Sequence, residues 1–233
     1  MTPNSPRQIS HAWIIIWSFC LFLLISLEYL VVTTVNPTAV PLSKIGLSFD
    51  IVSLISISIS MLSVPGGYSF SKQAICHLGR MKVKRTGADN RIAAFFFFLF
   101  AFFQSALIFM NGWLALIYNL PIVAWACFIC TIFSIFTGII PIDIFERGHL
   151  NSALMGFILI NFFLLILWVH TLQLGECSVP IMIDMAFVIL WGSIYSIGYF
   201  RDYRYCGLFQ KLWLINSIFV FNLFLDFLLL KIT

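Results

Sequence analysis

Seven apolar stretches, each close to twenty residues long, dominate this chain. Their approximate limits are Ala12–Thr34, Ile45–Val64, Ile92–Asn111, Pro121–Ile140, Leu150–Thr171, Ile181–Tyr199 and Leu212–Leu230. A helix needs about 20 predominantly apolar residues to cross the hydrocarbon core of a bilayer. Seven such runs in 233 residues leave too little polar chain to cover them in water. Soluble domains are roughly 45–50% apolar and about 25% charged. This chain is 61% hydrophobic and 9% charged, with a mean hydropathy of +1.03. Disorder is excluded, because disordered chains are poor in apolar residues. Six scattered cysteines in a chain this long do not make a secreted disulfide scaffold. The expected fold is all-α: one integral membrane domain over residues 1–233, a bundle of seven transmembrane helices.

The second stretch is the least regular. It carries Asp50 and a Ser/Ile alternation from Ser53 to Ser60 with the period of a strand. A lone strand in lipid leaves its backbone groups unpaired, so a helix is expected. The long continuous runs also do not fit the ten-residue alternations of a β-barrel.

Positive charge sets the expected orientation. Arg7, then Lys72, Arg80, Lys82, Lys84, Arg85 and Arg91, then Arg147, then Arg201, Arg204 and Lys211 fall on one side. Only Lys44 and Lys231 fall on the other. The N-terminus is therefore expected in the cytoplasm and the C-terminus outside. The first run is too long for a signal-peptide core and no small-residue cleavage site follows, so it reads as an uncleaved anchor. The basic segment Ser69–Arg91 reads as a short loop that sets topology, with binding of anionic headgroups as its alternative. The Phe-rich tract Phe95–Phe103 reads as lipid-facing or packing surface.

Small residues let helices approach in lipid. The second helix carries Gly46, Asp50, Ser53, Ser56, Ser60 and Ser63 on one face. The fourth carries Ala124, Cys127, Thr131, Ser134 and Gly138. Both stripes are expected to face other helices, and a channel lining is the alternative. Cys127 and Cys130 form a C-x-x-C within the fourth helix. Quinone-linked oxidoreductases of the vitamin K epoxide reductase type also need a second, loop-borne pair. Only Cys177 lies in an outer loop, so the pair reads as packing.

Ionisable groups within spans are functional candidates by default. Glu28, Asp50, Asp184 and Asp226 all fall near the expected outer boundary, joined by His170, by Asn111 and by Asn222 one turn from Asp226. Asp50 and Asp184 near helix starts would be stabilised by the helix dipole; Glu28 and Asp226 near helix ends would be opposed by it. The layer reads either as structural hydrogen bonding or as a site that carries protons or acts on a lipid headgroup. No metal site is expected, since the residues lack ligand spacing.

The segment Gly138-Ile-Ile-Pro141-Ile-Asp143-Ile-Phe-Glu146-Arg147-Gly-His149-Leu-Asn-Ser-Ala153 ends one helix and opens the next. Pro141 cannot continue the helical ladder. Asp143, Glu146, Arg147 and His149 crowd one short loop, where His149 has either carboxylate to pair with. The loop reads as a polar turn or as a headgroup or proton site. It resembles the G-x-F-P…H…A signature of the Frag/DRAM superfamily and its prokaryotic relatives. The signature there joins two helices, with three helices from its His to the C-terminus. The resemblance implies handling of lipids, since some eukaryotic members are linked to remodelling of lipid anchors.

There is no H-E-x-x-H, no G-x-S-x-G and no phosphate-cradling glycine loop. The leading expectation is a multi-pass protein that binds or processes a lipid or another membrane-embedded substrate. A small proton-coupled transporter and a non-catalytic assembly subunit are the alternatives. Membrane lipids are the expected partners, with other membrane proteins for the subunit reading. Nucleic acid is not expected, because topology already explains the basic loop. No cofactor is expected, and the expected location is an inner or plasma membrane.

Overall fold

The computed structural model describes residues 12, 14–20, 22–23, 26, 40–84, 86–173, 179–200, 207–214 and 217. Within them the protein is all-helical. Residues 14–20 (α1) are followed by Val40–Leu62 (α2), Arg91–Ile117 (α3), Pro121–Ile139 (α4), Glu146–Gln173 (α5), Val179–Phe200 (α6) and residues 207–214 (α7). Among the described residues, four helical stretches are long and apolar enough to cross a membrane: Ile45–Leu62, Arg91–Ile117, Pro121–Ile139 and Glu146–Ile166. Their outward faces are apolar. Ile92, Trp113, Ile117, Ile122, Trp125 and Ile132 are all more than half exposed. Water would penalise each of these by about 25 cal/mol per Å2, whereas hydrocarbon would not.

The helices pack mainly on their chain neighbours: α2 on α3, α3 on α4, and α4 on α5. The serine-rich second stretch is a helix, and its stripe faces inward. Gly46, Asp50, Ser53, Ser56 and Ser60 are buried while Val52, Ile55 and Leu62 face out. The Ser60 hydroxyl donates to the Ala93 carbonyl at 2.6 Å, and Ser58 meets Ser18 of α1 at 2.6 Å. The second small-residue stripe also faces inward: Ala124, Cys127 and Thr131 are buried. α3 and α4 touch closely at both ends. A Cβ added at Gly112 would lie 2.8 Å from the Cys127 Cβ, and one at Gly138 would lie 2.8 Å from the Ala101 Cβ. Close backbone approach of this kind is the use of small residues in a bilayer, where apolar area gives no preference for helix over lipid. The Phe-rich tract divides by face: Phe97 and Phe100 are buried, Phe95 and Phe102 exposed. Asn119, in the left-handed region at φ 57°, turns the chain from α3 into α4, and Pro121 opens α4.

Two apolar clusters flank α3. One joins α1, α2 and residues 64–78 to Ala93, Phe97 and Phe100. The other joins α3 to α4, α5, α6 and Trp213 of α7. Trp213 packs against Phe157 with ring centroids 4.7 Å apart and the rings tilted by 47°, and it reaches within 3.0 Å of where a Gly192 Cβ would stand.

The basic segment Ser69–Arg91 departs from the expected plain loop. It folds into a cap over one end of the bundle. A 3-10 helix, Ile75–Gly79, buries Ile75, Cys76, Leu78 and Gly79. An antiparallel bridge pairs Lys82 with Asp89. Asn90, just before α3, spends its side chain on the cap, donating to the carbonyls of Arg80 at 2.8 Å and Leu78 at 3.4 Å.

Candidate functional site

The cap is pinned to α7 by a buried cation. Lys211 is 1% exposed, and its Nζ donates to the carbonyls of Gln73 at 2.8 Å and Gly207 at 2.9 Å. The same ammonium lies 4.9 Å from the ring centroids of both Tyr68 and Phe70, the range of a cation–π contact. Neutral bonds complete the junction. The Gln210 side chain accepts from the Ile75 N–H at 2.6 Å and donates to the Tyr195 hydroxyl at 3.1 Å, and the Leu208 N–H donates to the Ser71 carbonyl at 3.0 Å. Charge counting from sequence assigned Lys211 to topology alone; its burial between two carbonyls and two rings was not legible there.

On one side of the 3-10 helix lies a partly open cavity of about 370 Å3 among α3, α4, α5, α6 and α7. Phe97, Phe100, Leu107, Phe157 and Trp213 make most of its wall apolar, and Gln104, Ser134, Tyr195 and Gln210 supply polar groups. Asn151 and Leu154, both exposed on α5, form its rim. A mainly apolar concavity of this size with a few directed polar groups is the usual form of a small-ligand site. Gln104 links the cavity to Asp50. Its Nε2 donates to the Asp50 carboxylate at 3.3 Å, and Asp50 is 2% exposed.

On the other side of the 3-10 helix lies an open cleft of about 650 Å3, walled by residues 64–90 of the cap. Lys72, His77, Arg80 and Lys84 line it, with no carboxylate among the described wall residues. Burial lowers the His77 pKa from 6.5 to about 4, reinforced by the positive charges of Arg80, Lys211 and Lys84 and by His149. Asp89 is held down to about 2 by its bonds to Arg91. His77 is thus neutral when folded but protonates near 6.5 when unfolded. The unfolded chain binds the extra proton between those values, so stability falls as pH drops from about 6.5 to about 4. Thermal melts across that window are expected to show a loss at low pH that is smaller in His77→Gln.

The distinctive 138–153 segment closes the same end of the bundle. Pro141 follows the end of α4, and Glu146 stands in the first turn of α5. The Asp143 carboxylate accepts from the backbone N–H groups of Met81 at 2.9 Å and Lys82 at 3.0 Å, latching the cap. His149 is fully buried and donates from Nδ1 to the Ile140 carbonyl at 2.6 Å. It therefore does not take up the expected pairing with Asp143 or Glu146: Asp143 is committed to the cap, and Glu146 and Arg147 are exposed. Nε2 of His149 is buried without a hydrogen-bond partner.

The acidic layer is represented among described side chains by Asp50. α2 begins at Val40, so Asp50 sits about 15 Å along the helix rather than in its first turn. The dipole acts only within the terminal turn; Asp50 is instead satisfied from α3. Asn111 likewise lies inside α3, which continues to Ile117, and its Nδ2 bonds the Leu107 carbonyl at 3.1 Å. For His170 in α5 and Asp184 in α6, the helical backbone alone is described. Glu28, Asn222 and Asp226 lie outside the described residues. Among the described residues, no three His, Cys, Asp or Glu side chains group closely enough to hold a metal ion. Cys127 and Cys130 are buried free thiols, and Cys130 Sγ contacts the Gly156 carbonyl at 3.7 Å.

Comparison with protein-family models, curated proteins and solved structures finds no match to this chain.

Proposed function

We propose that this chain is a seven-span membrane protein of an inner or plasma membrane, N-terminus in the cytoplasm, that binds a lipid or another membrane-embedded amphiphile. The observation that carries this reading is the 370 Å3 cavity, apolar along α3 and α5 and polar at Gln104, Tyr195 and Gln210. Its rim at Asn151 and Leu154 lies on an α5 face whose neighbours Met155 and Ile158 are exposed and apolar. An acyl chain entering from the bilayer meets a matched wall there without crossing water. The charge asymmetry of the sequence supports the orientation, which puts the basic cap on the cytoplasmic side. The resemblance of residues 138–153 to the Frag/DRAM signature points the same way, since Leu150, Asn151 and Ala153 of that segment line the cavity.

Photolabelling tests this reading. The protein is reconstituted in vesicles with phosphatidylcholine carrying a diazirine on one acyl chain. Label is expected on Phe157 and Leu154. Ser134→Phe, which fills the cavity, should cut labelling at Phe157 by about tenfold while leaving Trp113 and Trp125 unchanged. Uniform labelling of all outward faces, indifferent to Ser134→Phe, would remove the proposal.

A further inference from the structure

We propose that the cap cleft walled by residues 64–90 is a phosphate-binding site, taking the phosphate of a lipid headgroup or of a soluble phosphate. Three cationic side chains, Lys72, Arg80 and Lys84, line one concavity that has no carboxylate among its described wall residues. Among the described residues, two acids that bond to the cap segment are committed elsewhere. Asp89 grips Arg91 at 2.7 Å, and Asp143 is bound to the backbone of Met81 and Lys82. Among the described residues, that Arg91–Asp89 contact is the single ion pair. Like charges lining one hollow repel, and an anion there would offset that repulsion.

Neutral bonds hold the cap backbone that carries these cations. Asn90 binds the Arg80 carbonyl, and Gln73 binds the Ser69 N–H at 2.6 Å. Arg80 brings a planar fork suited to two phosphate oxygens, and Lys72 and Lys84 bring mobile point charges. Gly66 and Gly67, at φ 81° and 93°, turn the chain at the cleft wall without side chains over it. A topological bias explains how many cations the segment has but not why three share one hollow. Lys82, in the same segment, lies outside it. The inference stands apart from the cavity, with which the cleft shares no lining residue.

The test titrates full-length protein in zwitterionic detergent with inorganic phosphate and, separately, with dihexanoyl phosphatidic acid. Saturable binding of at least one is expected, weakened about tenfold by Arg80→Gln and by Lys72→Gln and less than about twofold by Lys82→Gln. Binding should also raise the His77 pKa from about 4, read by NMR, because the anion offsets the surrounding positive charge. Binding of both probes identifies the phosphate group itself as the ligand. Phosphatidic acid alone identifies a headgroup, and phosphate alone a soluble ligand. Absence of saturable binding, or equal weakening by Lys82→Gln and Arg80→Gln, overturns the site. Ser134→Phe should leave phosphate binding unchanged, which separates failure here from failure of the cavity reading.

Discussion

Replacing Gly207 by alanine is expected to lower the apparent melting temperature of the detergent-solubilised protein by roughly 5–10 °C, corresponding to about 2–3 kcal/mol. A Cβ at this position would overlap the Gln73 carbonyl oxygen and stand 2.7 Å and 2.9 Å from the Gln73 carbonyl carbon and nitrogen. These are backbone atoms, so no rotamer change relieves the overlap. The Gln73 carbonyl also accepts from Tyr68 and from Lys211, so a shift there disturbs the whole junction between cap and α7. Gly156→Ala is the matched control. Its new Cβ would meet only the Phe133 Cβ at 3.8 Å, an ordinary contact, and alanine favours a helix over glycine. Gly156→Ala should therefore melt within about 2 °C of the parent. Equal melting of Gly207→Ala and the parent would show that the cap does not sit on α7 as described.

The second large effect is expected at Lys211. Lys211→Met keeps most of the stem but removes the ammonium. Two bonds to backbone carbonyls and two ring contacts go with it. Hydrogen bonds to charged groups contribute about 1.5–3 kcal/mol each, offset here by the relief of burying one fewer charge, so a net loss of about 2–3 kcal/mol is expected. The location of the damage matters more than its size. Hydrogen exchange should rise in residues 68–80 and at the start of α7, while the α3–α4 contact around Ala101, Gly112 and Cys127 stays protected. Uniform loss of protection would mean that Lys211 supports the bundle as a whole rather than the cap.

Both effects fall on a region that sequence reading treated as a loop. The helices were legible because their signal is local: a run of apolar residues of membrane length needs no knowledge of neighbours. The inward faces of α2 and α4 were legible for the same reason. Gly46 to Ser60 and Ala124 to Thr131 repeat at helical spacing, and small residues have one principal use between helices. Pro141 ending α4 followed from the missing N–H.

Side-chain partners were a different matter. His149 has carboxylates three and six residues before it in the chain, yet binds the Ile140 carbonyl, because Asp143 reaches across to Met81 and Lys82. Asp50 was assigned to a helix start because hydropathy begins at Ile45; the backbone begins its helix at Val40 and places the carboxylate beside Gln104 of α3. Lysines 72, 82, 84 and 211 look alike as charges, but one is sealed beneath the cap, two line a cleft and one stands outside it.

What sequence alone determined, then, was the helical form of this chain and its apolar stretches long enough to cross a bilayer, because such runs in lipid leave the backbone no other way to satisfy its hydrogen bonds. Tertiary structure decided everything that depends on which atoms meet. It folded the basic segment into a cap, hollowed a cavity on one side of the 3-10 helix and gathered three cations on the other. Those outcomes rest on contacts between residues up to 138 positions apart, such as Gln73 with Lys211, and no local pattern encodes them.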